Sequence, residues 1–218
     1  MRSILVAVIG AVAIAGTAEG QSFRVEFARC SDFHLDPHTR ISACSAGSPL
    51  APSEAERGLL LFYRSDARLG AGEYDGAIND ADQAAVLLGE NRDVLNAQCW
   101  TRAVANRELD RARAACDASL ALGAHPAVLD SRGLVNLREG KWQEAWDDYD
   151  AAFTADPVLS GSLYGRGLAA LALGKTSDGE ADLKRAASVA QEFARYGLTP
   201  SVMKAHAAAV ASGSSSDQ

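Results

Sequence analysis

The feature that most constrains this chain is a period of 34 residues. At that offset, one column holds only leucine, a second only small residues, a third residues that tolerate left-handed backbone, and a fourth only apolar residues. In that order the columns are Leu61, Leu95, Leu129 and Leu163; Ser65, Cys99, Gly133 and Gly167; Gly72, Asn106, Gly140 and Gly174; and Leu69, Ala103, Leu137 and Leu171. Because all four columns recur at the same offset in four copies, they indicate a structural unit that is repeated along the chain.

Each copy contains two amphipathic runs that are separated by a turn. The first run has helical apolar spacing and ends at the Gly/Asn column, which is typical of a helix C-terminus. The second run has the same spacing, and the small column of the first run is expected to face one of its small residues: Ala77, Ala112, Ala145 or Gly179. Ala112 comes one residue late, which predicts a one-residue insertion in the turn around residues 106–110. Each copy is therefore predicted to be an antiparallel helix pair.

The third copy carries a resemblance to a known family. Gly133, Ala145, Tyr149 and Pro157 match the tetratricopeptide repeat (TPR) position by position. The resemblance covers residues 58–193 and implies an all-α fold: an α-solenoid of about four helix–turn–helix units, with a degenerate leading unit and a C-terminal capping helix.

The third copy also departs from the family pattern at three positions. Leu129, Arg132 and Asn136 stand where Trp, Leu and Tyr are usual. Arginine recurs at the position of Arg132 in the first and fourth copies, as Arg64 and Arg166. The recurrence indicates a consistent sub-pattern and not a decayed repeat.

The remaining segments complete the predicted organisation. Residues 1–20 have the basic start, apolar run and small residues of a secretory signal, with cleavage expected after residue 18 or 20. An uncleaved anchor is disfavoured because the apolar run is shorter than the roughly 20 residues that span a bilayer. Residues 21–57 form the degenerate unit and connector, and residues 58–196 the repeat domain, with units near 58–91, 92–125, 126–159 and 160–193. The last helix is predicted over residues 181–196, and residues 197–218 form a partly disordered tail that can include a short helix.

Charge and export narrow the class of partner. The formal net charge of −7 argues against a surface that binds nucleic acid. The signal predicts no stable membrane insertion after cleavage. The style of the signal and the Ala-, Gly-, Arg- and Asp-rich composition favour the periplasm of a Gram-negative bacterium as the location.

The four cysteines predict two disulfides, because an exported chain meets an oxidising environment. Three pairings are possible, and the repeat register favours Cys30–Cys44 and Cys99–Cys116. Each pair would close a short loop inside one helix pair. The alternative is that the cysteines are free buried thiols.

One segment of the sequence carries residues of the types that bind metal ions. The segment from Cys30 contains Asp32, His34, Asp36 and His38, but Pro37 interrupts a helical His pair and Cys30 has an expected disulfide partner. A polar connector is the better interpretation. No nucleophile motif, phosphate loop or zinc motif is present in the sequence. The prediction is therefore a non-enzyme without cofactor or metal, and a metal protein or enzyme built on the Cys30–Cys44 segment remains a weaker alternative.

The resemblance implies a groove lined by the first helix of each unit, which takes a protein or peptide. Carried over by column, one row holds Phe62, Asn96, Asp130 and Tyr164, and the next holds Asp66, Trp100, Leu134 and Leu168. Trp100, Tyr164 and Asp130 are the preferred anchors, because a large aromatic beside an acid suits a binding site. The predicted function is an exported scaffold that binds another protein. The alternative is a structural helper of an envelope assembly that makes contact through its convex face or its ends.

Overall fold

The structure is a computed structural model that describes residues 18–211. Every regular element in this range is helical: α1 Ala18–Ser31, α2 Pro37–Gly47, α3 Glu54–Ala71, α4 Tyr74–Leu88, α5 Arg92–Ala105, α6 Leu109–Ala121, α7 Pro126–Arg138, α8 Trp142–Ala155, α9 Ser160–Ala172, α10 Thr176–Arg185, α11 Ala190–Arg195 and α12 Pro200–Ala211, with 3-10 turns at Ser48–Leu50 and Ala187–Val189. The predicted all-α architecture of paired helices is confirmed. The boundary between unit 1 and unit 2, the two compact parts of the chain, falls within α5, after Thr101.

The third column of the repeat marks the end of each first helix. Gly72, Asn106, Gly140 and Gly174 all have positive φ, at 77°, 53°, 73° and 76°. In the first copy the N–H of Gly72 donates to the carbonyl of Leu69 at 3.1 Å, and the N–H of Glu73 donates to the carbonyl of Arg68 at 2.9 Å. This pair of backbone hydrogen bonds is the Schellman motif, and the C-termini of the other three first helices have the same pair. The prediction of left-handed residues at this column is confirmed.

The turn after α5 is one residue longer than its counterparts. α6 begins three residues after Asn106, whereas α4 begins two residues after Gly72. The extra position is accommodated at Glu108, which also takes a positive φ of 49°. Its carboxylate accepts a hydrogen bond from Nε of Arg102 at 2.9 Å. The predicted insertion is confirmed.

Small residues let the two helices of a pair approach closely. In the first pair the hydroxyl of Ser65 donates to the carbonyl of Ala77 at 2.8 Å. In the fourth pair a Cβ placed on Gly167 would lie 3.0 Å from the carbonyl oxygen of Gly179. Larger side chains would force these backbones apart, so the small column is a steric requirement of the fold.

Tyr149 lies between two glycines of successive first helices. A Cβ on Gly133 would lie 3.0 Å from its ring, and a Cβ on Gly165 would lie only 2.3 Å from its Cζ. The ring is almost completely buried, and this burial raises the pKa of the Tyr149 hydroxyl well above its usual range. Gly165 belongs to none of the four columns, and it serves this one contact.

The degenerate leading unit is the helix pair α1–α2. Cys30 and Cys44 form a disulfide with their Cα atoms 4.8 Å apart, as predicted. Asp36 caps α2 by accepting the backbone N–H groups of His38 and Thr39 at 3.0 and 3.1 Å, and Pro37 occupies the first turn. Cys99 and Cys116 are also disulfide-bonded, so all four cysteines are oxidised.

The prediction of one helix over residues 181–196 is wrong. α10 ends at Arg185, the backbone of Ala186 leaves helical geometry, and a 3-10 turn leads into the short α11. The break turns the chain back toward α9 and buries Phe193. The packing of Phe193 against Tyr164 on α9 buries apolar surface and so stabilises the broken geometry. The short helix expected in the tail is α12.

Two predicted segments extend beyond the described part of the chain. The signal at residues 1–20 lies outside it up to residue 17, and residues 18–20 open α1. The last seven residues, 212–218, also lie outside. Within residues 18–211, no helix combines the length and apolar character that a membrane crossing requires.

Candidate functional site

The predicted groove residues lie on one side of the first helices. On α3 and α5 they are Phe62, Asp66, Asn96 and Trp100, and we name this set the first-helix face of unit 1. On α7 and α9 they are Asp130, Leu134, Tyr164 and Leu168, and together with Arg138 we name them the first-helix face of unit 2. Spacing of four residues places Asp130, Leu134 and Arg138 on the same side of α7. The structure describes both faces.

The first-helix face of unit 1 is partly open. Phe62 and Trp100 are half-buried. Asn96 is 8% exposed, and its Oδ1 accepts no hydrogen bond from any residue between 18 and 211. A buried carbonyl oxygen without a donor is uncommon, because it costs the desolvation of that group. This face therefore offers aromatic surface, while the unpaired oxygen of Asn96 is itself buried.

Asp66 is already engaged within the chain. Its carboxylate pairs with Nη1 of Arg40 at 2.7 Å, while 39% of the Asp66 side chain stays exposed. Arg40 itself is buried, donates through Nε to the carbonyl of Cys30 at 3.1 Å, and lies 4.4 Å above the ring of Phe33. Arg40 was not predicted as part of this site, because its partners lie on α1 and α3 and outside its own helix. Asp66 is thus held in position and only half available to a ligand.

The first-helix face of unit 2 is closed. Tyr164, Leu134 and Leu168 are 4%, 1% and 0% exposed. Asp130 is partly buried and accepts a hydrogen bond from the hydroxyl of Ser162 at 2.5 Å. The pKa of Asp130 is raised to about 6, chiefly because burial disfavours the charged carboxylate; the negative charge of Glu192 adds to this effect and the hydrogen bond from Ser162 opposes it. Two of the three preferred anchors, Tyr164 and Asp130, are therefore covered in this structure.

The cover is the chain's own C-terminal segment, residues 186–198, which we name the C-terminal arm. The ring of Phe193 lies 4.6 Å from the ring of Tyr164, centroid to centroid. Nη2 of Arg138 donates to the carbonyl of Tyr196 at 2.7 Å. Leu198 is 1% exposed. Sequence reasoning missed Arg138 as a member of this face, although its position four residues after Leu134 was a usable signal.

The arginine sub-pattern forms a repeated ion pair on the other side of the first helices. Each arginine donates through Nε and Nη2 to both oxygens of an aspartate 16 residues later, at 2.7–2.9 Å. The pairs are Arg64–Asp80, Arg132–Asp148 and Arg166–Asp182. All three aspartates are buried, and their hydrogen bonds raise the pKa of each arginine. We name these pairs the Arg–Asp clasps.

The third nitrogen of each clasp reaches the preceding helix pair. Nη1 of Arg64, Arg132 and Arg166 donates to Ser45, Asp117 and Asp150 at 3.1, 3.1 and 2.5 Å. In the second copy Gln98 takes the place of the arginine, and its Nε2 donates to Asp82 at 2.9 Å. One side chain thus joins the two helices of its own pair and the pair before it.

A polar cleft of about 450 Å³ lies beside the middle clasp, among α6, α7 and α8. Its charged groups are largely paired with each other: Arg113 with Glu139 and with Asn136 at 2.7 Å, and Arg132 with Asp148. The carboxylates there accept structural hydrogen bonds and have no hydroxyl or thiol nucleophile beside them in the lining. The cleft is therefore a space between the second helices α6 and α8, and ion pairs cross it.

The polar connector near Cys30 makes local hydrogen bonds. Asp32 accepts the backbone N–H of His34 at 2.9 Å, and Asp36 caps α2. No three His, Cys, Asp or Glu side chains between residues 18 and 211 are grouped as ligands for a metal ion.

Comparison with known proteins identifies the fold. No family model matches the sequence, and no curated protein matches it. The crystal structure of MamA protein superposes with a TM-score of 0.55 at 18% identity, over 83% of this chain and 98% of that one. A tetratricopeptide repeat protein from Parabacteroides merdae superposes with a TM-score of 0.52 at 14% identity, over 91% and 95% of the two chains. The chain therefore has helix pairs packed as in tetratricopeptide repeat proteins.

Proposed function

We propose that this chain is a non-enzymatic scaffold that binds another protein through its first-helix faces. One observation carries the proposal: the first-helix face of unit 2 already holds a stretch of polypeptide, the C-terminal arm. It does so by packing Tyr164 against Phe193 and by donating a hydrogen bond from Arg138 to a backbone carbonyl. Aromatic packing together with a main-chain contact is a general way to bind peptides.

The first-helix face of unit 1 is the proposed site for the partner, because it is the less covered of the two. Phe62 and Trp100, both half-buried, supply aromatic surface. The half-exposed carboxylate of Asp66 favours a positive charge close to the apolar contact. The chemistry suits a protein segment with apolar and basic side chains.

The proposed location is exported and oxidising, in the periplasm. The disulfide between Cys30 and Cys44, together with the oxidised state of Cys99 and Cys116, supports it, because such bonds persist outside reducing compartments.

A second candidate function is that of a structural helper that makes contact through other surfaces. Val86 on α4 and Val158 after α8 are each 82% exposed, so their apolar side chains are available for contact with another molecule. Contacts through these side chains would leave the first-helix faces unused.

Affinity capture from an envelope extract separates the two functions. The tagged protein is compared with a Phe62→Ala/Trp100→Ala variant and with a Val86→Ala/Val158→Ala control. We expect the first variant to capture at least ten-fold less partner than the wild type does, and the control to capture the wild-type amount. Loss in the control alone, with both proteins melting as the wild type does, would favour the structural helper and reject the groove.

A further inference from the structure

The C-terminal arm has a well-defined local shape. Gly197 has φ of 71°, the N–H of Gly197 donates to the carbonyl of Ala194 at 3.0 Å, and the N–H of Leu198 donates to the carbonyl of Phe193 at 2.9 Å. These bonds make a Schellman end on α11, which places the side chain of Leu198, two residues after the C-cap Tyr196, on the same side as Phe193 in the last turn of the helix. Phe193 and Leu198 are accordingly the two buried side chains between residues 190 and 198.

The face under the arm recognises features that other sequences can supply. Tyr164 packs against an aromatic ring, and Leu134 and Leu168 are buried apolar side chains on the same face. Arg138 binds a carbonyl at the C-terminal end of a helix, where the carbonyl groups lack partners and the helix dipole is negative. A main-chain acceptor exists in any peptide, so the sequence demands on an occupant are an aromatic side chain and, five residues later, an aliphatic one.

The arm is held less firmly than the helices it covers. α11 has six residues, which is too short for a helix to be stable on its own. Of the thirteen residues of the arm, only Ala186, Phe193 and Leu198 are buried, whereas α7 buries seven of its thirteen residues and α9 buries nine of thirteen. Segments with few buried contacts open at a lower free energy than the core of a domain. The arm can therefore leave while α7 and α9 stay folded.

We propose that the first-helix face of unit 2 is a second docking site, that it accepts a short helical partner segment with an aromatic anchor, and that the C-terminal arm is its resident occupant, displaced when the partner binds. This inference rests on the proposed function and names the chemistry of the partner. The arm acts as a covalently attached competitor, so the apparent affinity of the site for a free segment equals its intrinsic affinity multiplied by the fraction of molecules in which the arm is undocked.

Hydrogen exchange on the wild-type protein tests whether the arm can leave. We expect amides of residues 193–198 to exchange at least ten-fold faster than those of residues 133–137 in α7, under conditions where the protein is folded. Equal protection of the two segments would mean that the arm opens only with the whole unit, and would overturn the proposal.

Peptide binding tests the site itself on the full chain. The probe is a fluorescent peptide with the sequence of residues 186–199, AASVAQEFARYGLT, and the acceptor is a Phe193→Asp variant whose own arm is weakened. We expect this variant to bind the probe at least ten-fold more tightly than the wild type does, and not to bind a probe that carries the same Phe-to-Asp change. Adding Tyr164→Ala to the variant should abolish the gain.

Two outcomes would overturn the proposal. One is that the wild type and the Phe193→Asp variant bind the peptide equally, or that the variant does not bind it although it keeps the wild-type helix content. The other is a concentration-dependent dimer of the wild type that Phe193→Asp prevents, because the occupant would then be a second copy of this chain. If either outcome occurs while the protein still captures its partner through Phe62 and Trp100, the proposed function stands. If only that capture is lost, the function proposed for unit 1 is rejected and the docking site on unit 2 is not.

Discussion

The Arg–Asp clasps give the sharpest test of how the helix pairs are held together. Asp148 is 7% exposed and accepts three hydrogen bonds: from Nε and Nη2 of Arg132 at 2.9 and 2.7 Å, and from Nδ2 of Asn136 at 2.8 Å. An alanine at this position removes all three bonds. It also leaves the amide of Asn136, which is 2% exposed, without its acceptor.

The magnitude follows from these contacts. Breaking a buried ion pair by removing one partner costs about 3–5 kcal/mol. Here the loss should be smaller, because 29% of the Arg132 side chain is exposed and Arg132 keeps its bond to Asp117. We therefore expect Asp148→Ala to reduce the free energy of unfolding by about 2–4 kcal/mol. Asp117→Ala is the matched control, because it removes a single bond of 3.1 Å from a side chain that is 52% exposed. It should cost less than about 1 kcal/mol.

Urea unfolding followed by circular dichroism at 222 nm measures both losses. The combined replacement Arg132→Met/Asp148→Leu should cost less than the sum of its single changes, since an apolar pair of similar size can replace a buried ion pair at little cost. Equal midpoints for Asp148→Ala and Asp117→Ala would refute the assignment of stability to the buried half of the clasp.

Three further predictions follow from contacts in the two units. Gly165→Ala should lower the free energy of unfolding by about 1–3 kcal/mol in a thermal melt, because its Cβ would enter the ring of Tyr149, whereas Gly161→Ala, whose Cβ meets nothing closer than 3.8 Å, should cost less than half as much. Replacing Cys30 and Cys44 by serine should cost about 3 kcal/mol and keep the helix content, since the bond closes a separation of 14 residues inside one pair; loss of helicity would contradict a local role. Because the pKa of Asp130 is raised to about 6, folded protein binds its proton more tightly than unfolded chain does, so stability should fall as pH rises from 4 to 6. Asp130→Asn should flatten that fall by about 1–2 kcal/mol in pH-dependent melts, and an unchanged profile would mean that the carboxyl is well solvated.

The periodic part of this molecule was readable from the sequence because each repeat obeys a local rule. Asn106 shares a column with three glycines, and the left-handed backbone at all four follows from how a helix ends. The extra residue near Glu108 was equally visible, since it shifts Ala112 by one position. The column of Arg64, Arg132 and Arg166 was visible too. Its partners 16 residues later were not predicted, because that pairing depends on how the two helices of a pair cross.

The aperiodic part was not readable for a related reason. Residues 181–196 carry helical apolar spacing, and the spacing predicted one helix. The break at Ala186 depends on the contact between Phe193 and Tyr164, which lie in different elements. The same contact covers Tyr164, which its column had marked as an exposed anchor. A column identifies which side of a helix a residue occupies, but it carries no information on which segment packs there.

Site-specific photocrosslinking in intact cells tests most directly whether the first-helix faces are binding surfaces. A photoreactive amino acid is placed at Phe62, on the first-helix face of unit 1, or at Val86, which is 82% exposed on α4. We expect a discrete crosslinked protein from position 62 that Trp100→Ala removes, and no such product from position 86. Crosslinks from position 86 with none from position 62, in proteins that melt alike, would contradict binding through the first helices.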